Sequence, residues 1–369
     1  MRVSYLFSFL LLLIIADGCV DEIRIKAPDV SFQLAVDGVI TDEEGPYSVS
    51  IFKVSNLDAD LDKRIPILSA RVTISDDVGN SELLKETSSG IYQTSVGGLQ
   101  GTVGRTYVLK IITLNGKMYE SSAEKLNPAG AINNLSYEFD FRERIKVDGT
   151  VVGADGFNIY MDANSLPTGE NLYRWKWTGT YEIETFPHLK TRNVEGVQVP
   201  DPLPCSGYQE RDGILFQSSP CSCCSCWVTM LQGTPIVSDD QFISGNKFDH
   251  VNVAFIPVTR RTFYYQRFYL TVQQMSLSRA AFNFWRVIQS QKEGASSLFQ
   301  PPSGKVRGNI FSKDGDEEVQ GIFYASSVQE KSIFIEKSDV PYTVQKIDTV
   351  RTSCMFVGIS TNVRPSFWK

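Results

Sequence analysis

The chain has 369 residues, of which 42% are hydrophobic and 21% charged, and its formal net charge is −6. This composition is typical of a folded globular protein and excludes an intrinsically disordered one. No basic block or cluster of basic and aromatic residues stands out, which argues against nucleic acid as a partner.

The first residues have the pattern of an export signal. Arg2 is followed by a nearly unbroken apolar run, Val3–Ile15, which is too short and too close to the start for a confident membrane span. Residues 16–18 (Ala-Asp-Gly) then precede Cys19. A small residue, a variable one and Gly before Cys is the pattern of a bacterial lipoprotein signal. We therefore predict a lipoprotein signal peptide over residues 1–18.

Cys19 is the predicted lipid attachment site. The alternative is cleavage by an ordinary signal peptidase, which would release a soluble exported protein. Lipidation is favoured because setting Cys19 aside from the seven cysteines leaves an even number, which can pair as disulfides in an oxidising compartment. Residues 19–30 are then a short, polar, lipidated tether.

Residues 31–128 are predicted to form an immunoglobulin-like β-sandwich. Strand-like segments recur at roughly ten-residue spacing with no helical period between them. The dipeptide Asn115-Gly116, between Ile112 and Met118, is the strongest hairpin signal in the chain. The predicted strands are Leu34–Ile40, Tyr47–Val54, Ala70–Ser75, Gly90–Ser95 and Thr106–Thr113.

Residues 129–369 are predicted to form a larger β-rich domain, so that the whole chain is mainly β. The turn at residues 128–130 (Pro-Ala-Gly) marks the boundary. One amphipathic helix is predicted near residues 278–293, with Ser276 or Ser278 as its N-cap. The predicted strands are Leu172–Thr185, Val251–Val258, Phe263–Gln273, Lys305–Phe311, Val319–Ala325 and Lys331–Glu336.

An aromatic row lies within the first of these strands. Tyr173, Trp175 and Trp177 alternate along the sequence and so share one face of a strand. Such a row can stack on sugars or on a peptide ligand. It is more often the core face of a sheet, so both interpretations stay open.

The remaining six cysteines are disulfide candidates. Four of them are clustered, and we expect links from this cluster to the two distant ones, which would tie the last strand to the middle of the second domain. The alternative is a soft-metal site for Cu(I) or Zn(II). No His flanks the cluster, and neither a metal nor another cofactor is expected. The six are Cys205, Cys221, Cys223, Cys224, Cys226 and Cys354.

Catalysis is not expected from this sequence. His188 and His250 are the only histidines, and no nucleophile signature such as G-x-S-x-G accompanies them. We expect each to be a surface or packing residue, and the protein not to be an enzyme.

Segments in both halves of the chain carry a family resemblance. The N-terminal ones include LAVDGVITDEEGPYSVSI, ARVTISDDVGN and GTVGRTYVLKIITLNGKMYES, and the later ones include FYLTVQQMSLSRAAFNFW, GNIFSKDGDEEVQGIFYASSV and TNVRPSFW. With them the chain resembles the domain-of-unknown-function family 4249, a set of predicted outer-membrane lipoproteins of Bacteroidetes. The resemblance covers essentially the whole mature chain.

The resemblance implies a location and a partner, because the family has no assigned activity and no catalytic residues. Its members are typically encoded beside TonB-dependent outer-membrane receptors. Asp21 and Glu22 resemble the acidic surface-export signal of these lipoproteins. We therefore expect a non-catalytic, lipid-anchored outer-membrane lipoprotein, exposed on the cell surface, that serves a TonB-dependent nutrient transporter as an accessory or ligand-binding partner. The alternatives are a surface adhesin or structural lipoprotein, and a soft-metal-binding lipoprotein that uses the cysteine cluster.

Overall fold

A computed structural model describes residues 33–54, 64–145, 150–167, 170–238, 243–244, 247–263, 266–294, 306–315, 317–345 and 349–368. The predicted signal peptide, the tether and Cys19 lie outside the described residues. The fold is mainly β with one α-helix in the described ranges, as predicted. That helix does not combine the length and apolar character needed to cross a membrane, and no other described segment does so as a helix.

Ten strands lie in the described part of the first 125 residues, and they include all five predicted there. The hairpin predicted at residues 115–116 joins the eighth strand to the ninth. The strands are β1 (Gln33–Thr41), β2 (Ser48–Val54), β3 (Ile65–Pro66), β4 (Arg71–Asp76), β5 (Ser81–Leu83), β6 (Lys85–Ser88), β7 (Ile91–Gln93), β8 (Thr106–Ile112), β9 (Met118–Ser121) and β10 (Glu124–Lys125).

The remainder adds eighteen strands and the helix within the described ranges. They are β11 (Ile132–Asp140), β12 (Glu143–Ile145), β13 (Val151–Gly153), β14 (Gly156–Asn164), β15 (Tyr173–Glu184), β16 (Thr191–Val194), β17 (Val197–Pro200), β18 (Tyr208–Arg211), β19 (Ile214–Gln217), β20 (Ser225–Leu231), β21 (Ile236–Ser238), β22 (Ile243–Ser244), β23 (Lys247–Pro257), β24 (Arg267–Ser276), α1 (Arg279–Gly294), β25 (Ile310–Ser312), β26 (Val319–Ser326), β27 (Val328–Glu336) and β28 (Ile359–Thr361).

The N-terminal strands form a two-sheet sandwich. One sheet has the order β26-β1-β2-β7-β6, with β3 beside β2, and the other has the order β25-β9-β8-β4-β5, with β10 beside β8. Alternating side chains such as Val36, Ile51, Val72 and Leu109 are buried between the sheets. This alternation is the period-two signal that predicted the strands.

The sandwich extends beyond its predicted boundaries. β26 pairs in parallel with β1 and β25 pairs with β9, so each sheet receives an edge strand from the C-terminal third of the chain. Ile310 and Phe323 on these strands are buried in the sandwich core. The close approach of β26 requires Gly321, because its φ is +94° and a Cβ there would collide with the Val36 carbonyl oxygen. The predicted division into residues 31–128 and 129–369 therefore differs from the observed one, in which β25 and β26 also belong to the sandwich. The reason is that the sequence pattern of a strand does not indicate which strand it pairs with.

The second body also packs two sheets against each other. Their orders are β11-β14-β23-β22 and β27-β24-β15-β20-β28, and β21 pairs with β15. The core between them contains Phe157, Trp175, Phe248 and Phe268, which are at most 2% exposed. Tyr137 and Phe157 meet edge to face at 5.4 Å between ring centroids.

Helix α1 lies at the junction of the two bodies. Ser278 is its N-cap, since the Ser278 hydroxyl accepts a hydrogen bond from the Ala281 N–H at 3.1 Å. Phe282 and Phe284 on its apolar face share a buried cluster with Ile322 of β26. The predicted helix is thus confirmed. Of the two candidate N-caps, Ser276 and Ser278, the structure shows Ser278 in that role.

The strands also define which ends of the bodies lie far from this junction. β26 runs from the start of β1 towards its end, and after Ser327 alone the chain enters β27 of the second body. β15 runs in the same direction as β27, because both are antiparallel to β24. At roughly 3.3 Å per residue, its twelve residues carry Glu184 about 35 Å from Tyr173. The first residues of β1 and the last residues of β15 therefore both lie far from this junction.

Candidate functional site

All six cysteines of the second body are paired in disulfides. The bonds are Cys205–Cys223, Cys221–Cys224 and Cys226–Cys354, with Cα–Cα distances of 5.6, 5.7 and 5.6 Å. Disulfide pairing is confirmed, and the cluster is linked to both distant cysteines as expected. The two cysteines left over pair with each other at a spacing of three residues. This pairing favours disulfides over the soft-metal interpretation, because a disulfide sulfur is not a thiolate ligand.

The disulfide with the largest sequence separation, Cys226–Cys354, attaches the C-terminal segment to β20, next to the end of β15. Cys226 and Cys354 are fully buried, and Cys354 begins a short 3₁₀ turn, Cys354–Phe356. The Cys354 N–H donates to the Cys223 carbonyl at 3.0 Å. The Thr185 N–H, directly after β15, donates to the Cys224 carbonyl at 2.7 Å. Backbone hydrogen bonds and disulfides thus fix the same three segments to one another.

The residues that follow Cys354 carry four exposed apolar side chains. Met355, Phe356, Ile359 and Val363, which we call the apolar platform, are 43%, 79%, 60% and 70% exposed. Among the described strands, β28 pairs with β20 alone and so forms one edge of its sheet. These four side chains fall within nine consecutive residues, and exposed apolar side chains that lie close together mark interaction sites in soluble domains, whereas single ones need no explanation. The platform is therefore the candidate functional site.

Two hairpins that follow the end of β15 also present exposed apolar side chains. β16–β17 presents Val197 and β18–β19 presents Ile214, which are 63% and 69% exposed. The turn at residues 204–206 precedes β18, and Cys205 in this turn is bonded to Cys223. The Leu203 N–H also donates to the Pro187 carbonyl at 3.1 Å, which joins the bases of the hairpins. Disulfides therefore hold the flanking hairpins as well as the platform.

The aromatic row is not exposed for ligand stacking. Tyr173, Trp175 and Trp177 are 1%, 2% and 7% exposed and lie in the core of the second body. The Trp175 indole N–H donates to Gln274 Oε1 at 2.9 Å, so the polar atom of its ring is also satisfied inside the protein. The ligand-stacking interpretation was wrong, because the second sheet covers the face that these rings share.

The two histidines are engaged in ring stacking. His188 lies 4.6 Å from the Tyr208 ring, and the exposed His250 lies 3.8 Å from the Tyr160 ring. Within the described ranges, no group of three or more His, Cys, Asp or Glu is arranged to hold a metal ion. These positions are consistent with the surface and packing roles expected from the sequence.

The platform itself was not predicted. The only local signal is the apolar character of residues 355–357 (Met-Phe-Val), directly after a cysteine. That signal is equally typical of a buried strand. Which side chains of this segment are exposed follows only from the pairing of β28 with β20, which the local sequence does not indicate. Exposure of Phe356 and Ile359 is therefore a tertiary property.

Comparison with known proteins gives a family and no further relatives. No curated protein and no solved structure matches the chain. The model of one family matches residues 20–332, which include the sandwich, helix α1 and the cysteine cluster. The chain belongs to the family described as Domain of unknown function (DUF4249).

Proposed function

We propose that the protein is a non-catalytic lipoprotein, anchored in the outer membrane through Cys19, that acts as an accessory or ligand-binding partner of a TonB-dependent nutrient transporter. The observation that carries the binding role is the apolar platform. Phe356 is 79% exposed and lies two residues from Cys354, which is itself fully buried and disulfide-bonded. An exposed aromatic side chain on a fixed base is typical of an anchor in a binding interface.

The rigidity of the base supports binding as the role of this surface. Association costs free energy when loops and side chains must be ordered, and a surface that is already fixed avoids part of that cost. The Cys226–Cys354 disulfide fixes the backbone where the platform begins, and the Cys205–Cys223 disulfide fixes the turn before β18. They also support an exported location, since disulfides persist in oxidising compartments.

The described chemistry supports a non-catalytic role. His188 and His250 stack on tyrosine rings and lie on different elements. The buried carboxylate of Glu124 is held by hydrogen bonds from Ser278 and Asn309 in a structural contact between the bodies. These groups therefore have packing or connecting roles in the described part of the fold.

The test is affinity purification of the tagged, lipidated protein from its native outer membrane in mild detergent. We expect a β-barrel receptor of TonB-dependent size to co-purify. A Cys19→Ser chain, which cannot be lipidated, should lose the membrane fraction while keeping its fold. Purification that recovers the lipidated protein without any β-barrel would contradict the transporter role. Recovery of cell-surface polymers in place of a receptor would favour the adhesin alternative.

A further inference from the structure

A second apolar surface lies on the sandwich, at the end far from its junction with the second body. It is a groove of about 600 Å³ between the two sheets of the sandwich, at the end where β1 begins. Its apolar lining is provided by Leu34 of β1, by Ile65, Ile67 and Leu68, and by Leu114. Ile65, Leu68 and Leu114 are 43%, 50% and 82% exposed.

Leu114 projects from a well-ordered hairpin tip. The Thr113 N–H donates to the Lys117 carbonyl at 3.0 Å, and the Gly116 N–H donates to the Thr113 carbonyl at 2.8 Å. Gly116 has a φ of +84°, which favours glycine and allows the chain to turn directly after Leu114. The apolar side chain is therefore held outward by a closed turn.

The rim of the groove is polar and carries lysines. Lys117 Nζ lies 2.6 Å from Glu317 Oε2, and the Tyr119 hydroxyl donates to the same oxygen at 3.1 Å. Lys53 lines the groove as well. The rim thus places two lysines, a tyrosine and Glu317 beside the apolar side chains. At a lipid headgroup region, long cationic side chains such as that of Lys53 can reach the phosphates.

The chain path places this end nearest to the predicted lipid anchor. β1 begins at Gln33, fourteen positions after Cys19, so the connecting segment can span at most about 50 Å. The other end of the sandwich contacts the second body, where the Ser327 hydroxyl donates to Asp42 Oδ2 at 2.5 Å. The groove therefore lies at the end of the sandwich that receives the tether, away from the second body.

We propose that the groove end of the sandwich rests on the membrane in which the protein is anchored, with Leu114, Leu68 and Ile65 in contact with lipid. This inference rests on the proposed lipidation of Cys19. A short tether keeps the lipid surface at a high effective concentration, so a few apolar side chains suffice for contact. A free protein partner would instead need roughly 800 Å² of matching surface on each side.

The test uses the full lipidated protein in vesicles of phosphatidylethanolamine and phosphatidylglycerol that contain acyl-chain-brominated lipid, which quenches tryptophan on contact. Leu114→Trp adds a reporter at the groove. Val96→Trp is the matched control, because Val96 is 86% exposed beside the loop that contacts Thr41, at the other end of β1. Emission of the unsubstituted protein is subtracted from both.

We expect the added emission of Leu114→Trp to fall about twofold or more, as for side chains at the headgroup and acyl boundary, and that of Val96→Trp to stay unchanged. Vesicle flotation of the same samples reports the anchor separately. Protein that floats with an unquenched Leu114→Trp overturns the lipid contact and leaves the anchor intact, which is also the result expected if a protein covers the groove. Protein that does not float overturns the anchor and the lipid contact together.

Discussion

The Ser278 hydroxyl donates a 2.6 Å hydrogen bond to Glu124 Oε2 while it accepts one from the Ala281 N–H, so the cap of helix α1 is tied to the sandwich. Asn309 Nδ2 donates to the other oxygen of the same carboxylate at 2.8 Å. Glu124 is only 2% exposed, and burial raises the pKa of its carboxyl group. The Glu124 side chain therefore connects its own strand to two segments that lie 154 and 185 residues further along the chain.

Replacement of Glu124 by Ala should destabilise the protein. The substitution leaves the Ser278 hydroxyl and the Asn309 amide without their partner, and we expect the free energy of unfolding to fall by about 3 kcal/mol. Urea unfolding followed by tryptophan fluorescence measures this change. An Ala variant as stable as the unsubstituted protein would show that the connection is dispensable.

Glu124→Gln separates the charge of this group from its hydrogen bonds. The folded-state pKa of Glu124 is raised, so the carboxylate form opposes folding at neutral pH. The contribution of Glu124 protonation to stability is therefore present in full below its unfolded pKa and is lost as the pH rises through the folded value. We expect the unsubstituted protein to gain stability relative to Glu124→Gln when urea unfolding is repeated at pH 4 in place of pH 7. If the difference in stability between the unsubstituted protein and Glu124→Gln is the same at pH 4 and pH 7, the raised pKa of Glu124 is contradicted.

The sandwich should not fold without its C-terminal strands. A fragment of residues 31–128 lacks β25 and β26 and leaves the edge of β1 unpaired. We expect poor amide dispersion in its NMR spectrum. In the full chain, Phe323→Ala should cost about 4 kcal/mol, because Phe323 is fully buried in the sandwich core. Phe311→Ala on the neighbouring strand is the control, since Phe311 is 57% exposed and should change stability little.

The disulfides should contribute unequally to stability. Cys226–Cys354 joins residues 128 positions apart, whereas Cys221–Cys224 joins residues three apart. From the loop-entropy model we expect a loss of about 5 kcal/mol for the Cys226→Ala/Cys354→Ala double variant and about 2 kcal/mol for Cys221→Ala/Cys224→Ala. Guanidinium unfolding without reductant gives both values. Equal losses would show that the long link does not restrain the unfolded chain as the topology requires.

Asp76 should stabilise the sandwich at neutral pH and cease to do so in acid. Desolvation opposes its charge, but hydrogen bonds from Asn80, Arg105 and the Val78 N–H outweigh that effect and lower the pKa of Asp76 to about 2. Because the folded pKa lies below the unfolded one, the contribution is present above about pH 4 and is lost as the pH falls towards 2. We expect Asp76→Asn to lose about 1 kcal/mol at pH 7, since Arg105 is partly solvated and its attraction is screened.

Thermal unfolding between pH 7 and pH 2 measures this effect. The difference in melting temperature between Asp76→Asn and the unsubstituted protein should become smaller as the pH falls from about 4 towards 2. Asp77→Asn on the same turn is the control for a general effect of removing one charge. A difference that is independent of pH would contradict the role assigned to the Asp76 carboxylate.

The hydrophobic pattern of each segment predicted its secondary structure, but it did not predict which distant segments pair with each other. The strands around Val36 and Leu109 and the helix around Phe284 follow from hydrophobic period, which each segment carries by itself. The partner of β26 does not follow, since Phe323 has the same apolar pattern whether its strand joins the sandwich or the second body. For the same reason the aromatic row at Trp175 was open to two interpretations until the facing sheet was known.

The role of the apolar platform is tested most directly by quantitative affinity purification of platform variants from native membranes. Phe356→Asp and Val363→Asp place charge on exposed positions and should leave the fold intact, and Val96→Asp is an equally exposed control far from the platform. We expect recovery of the co-purifying receptor to fall about tenfold or more with each platform variant, as for the loss of an interface anchor, and to be unchanged with Val96→Asp. Equal receptor recovery with all three variants would contradict the assignment of binding to the platform.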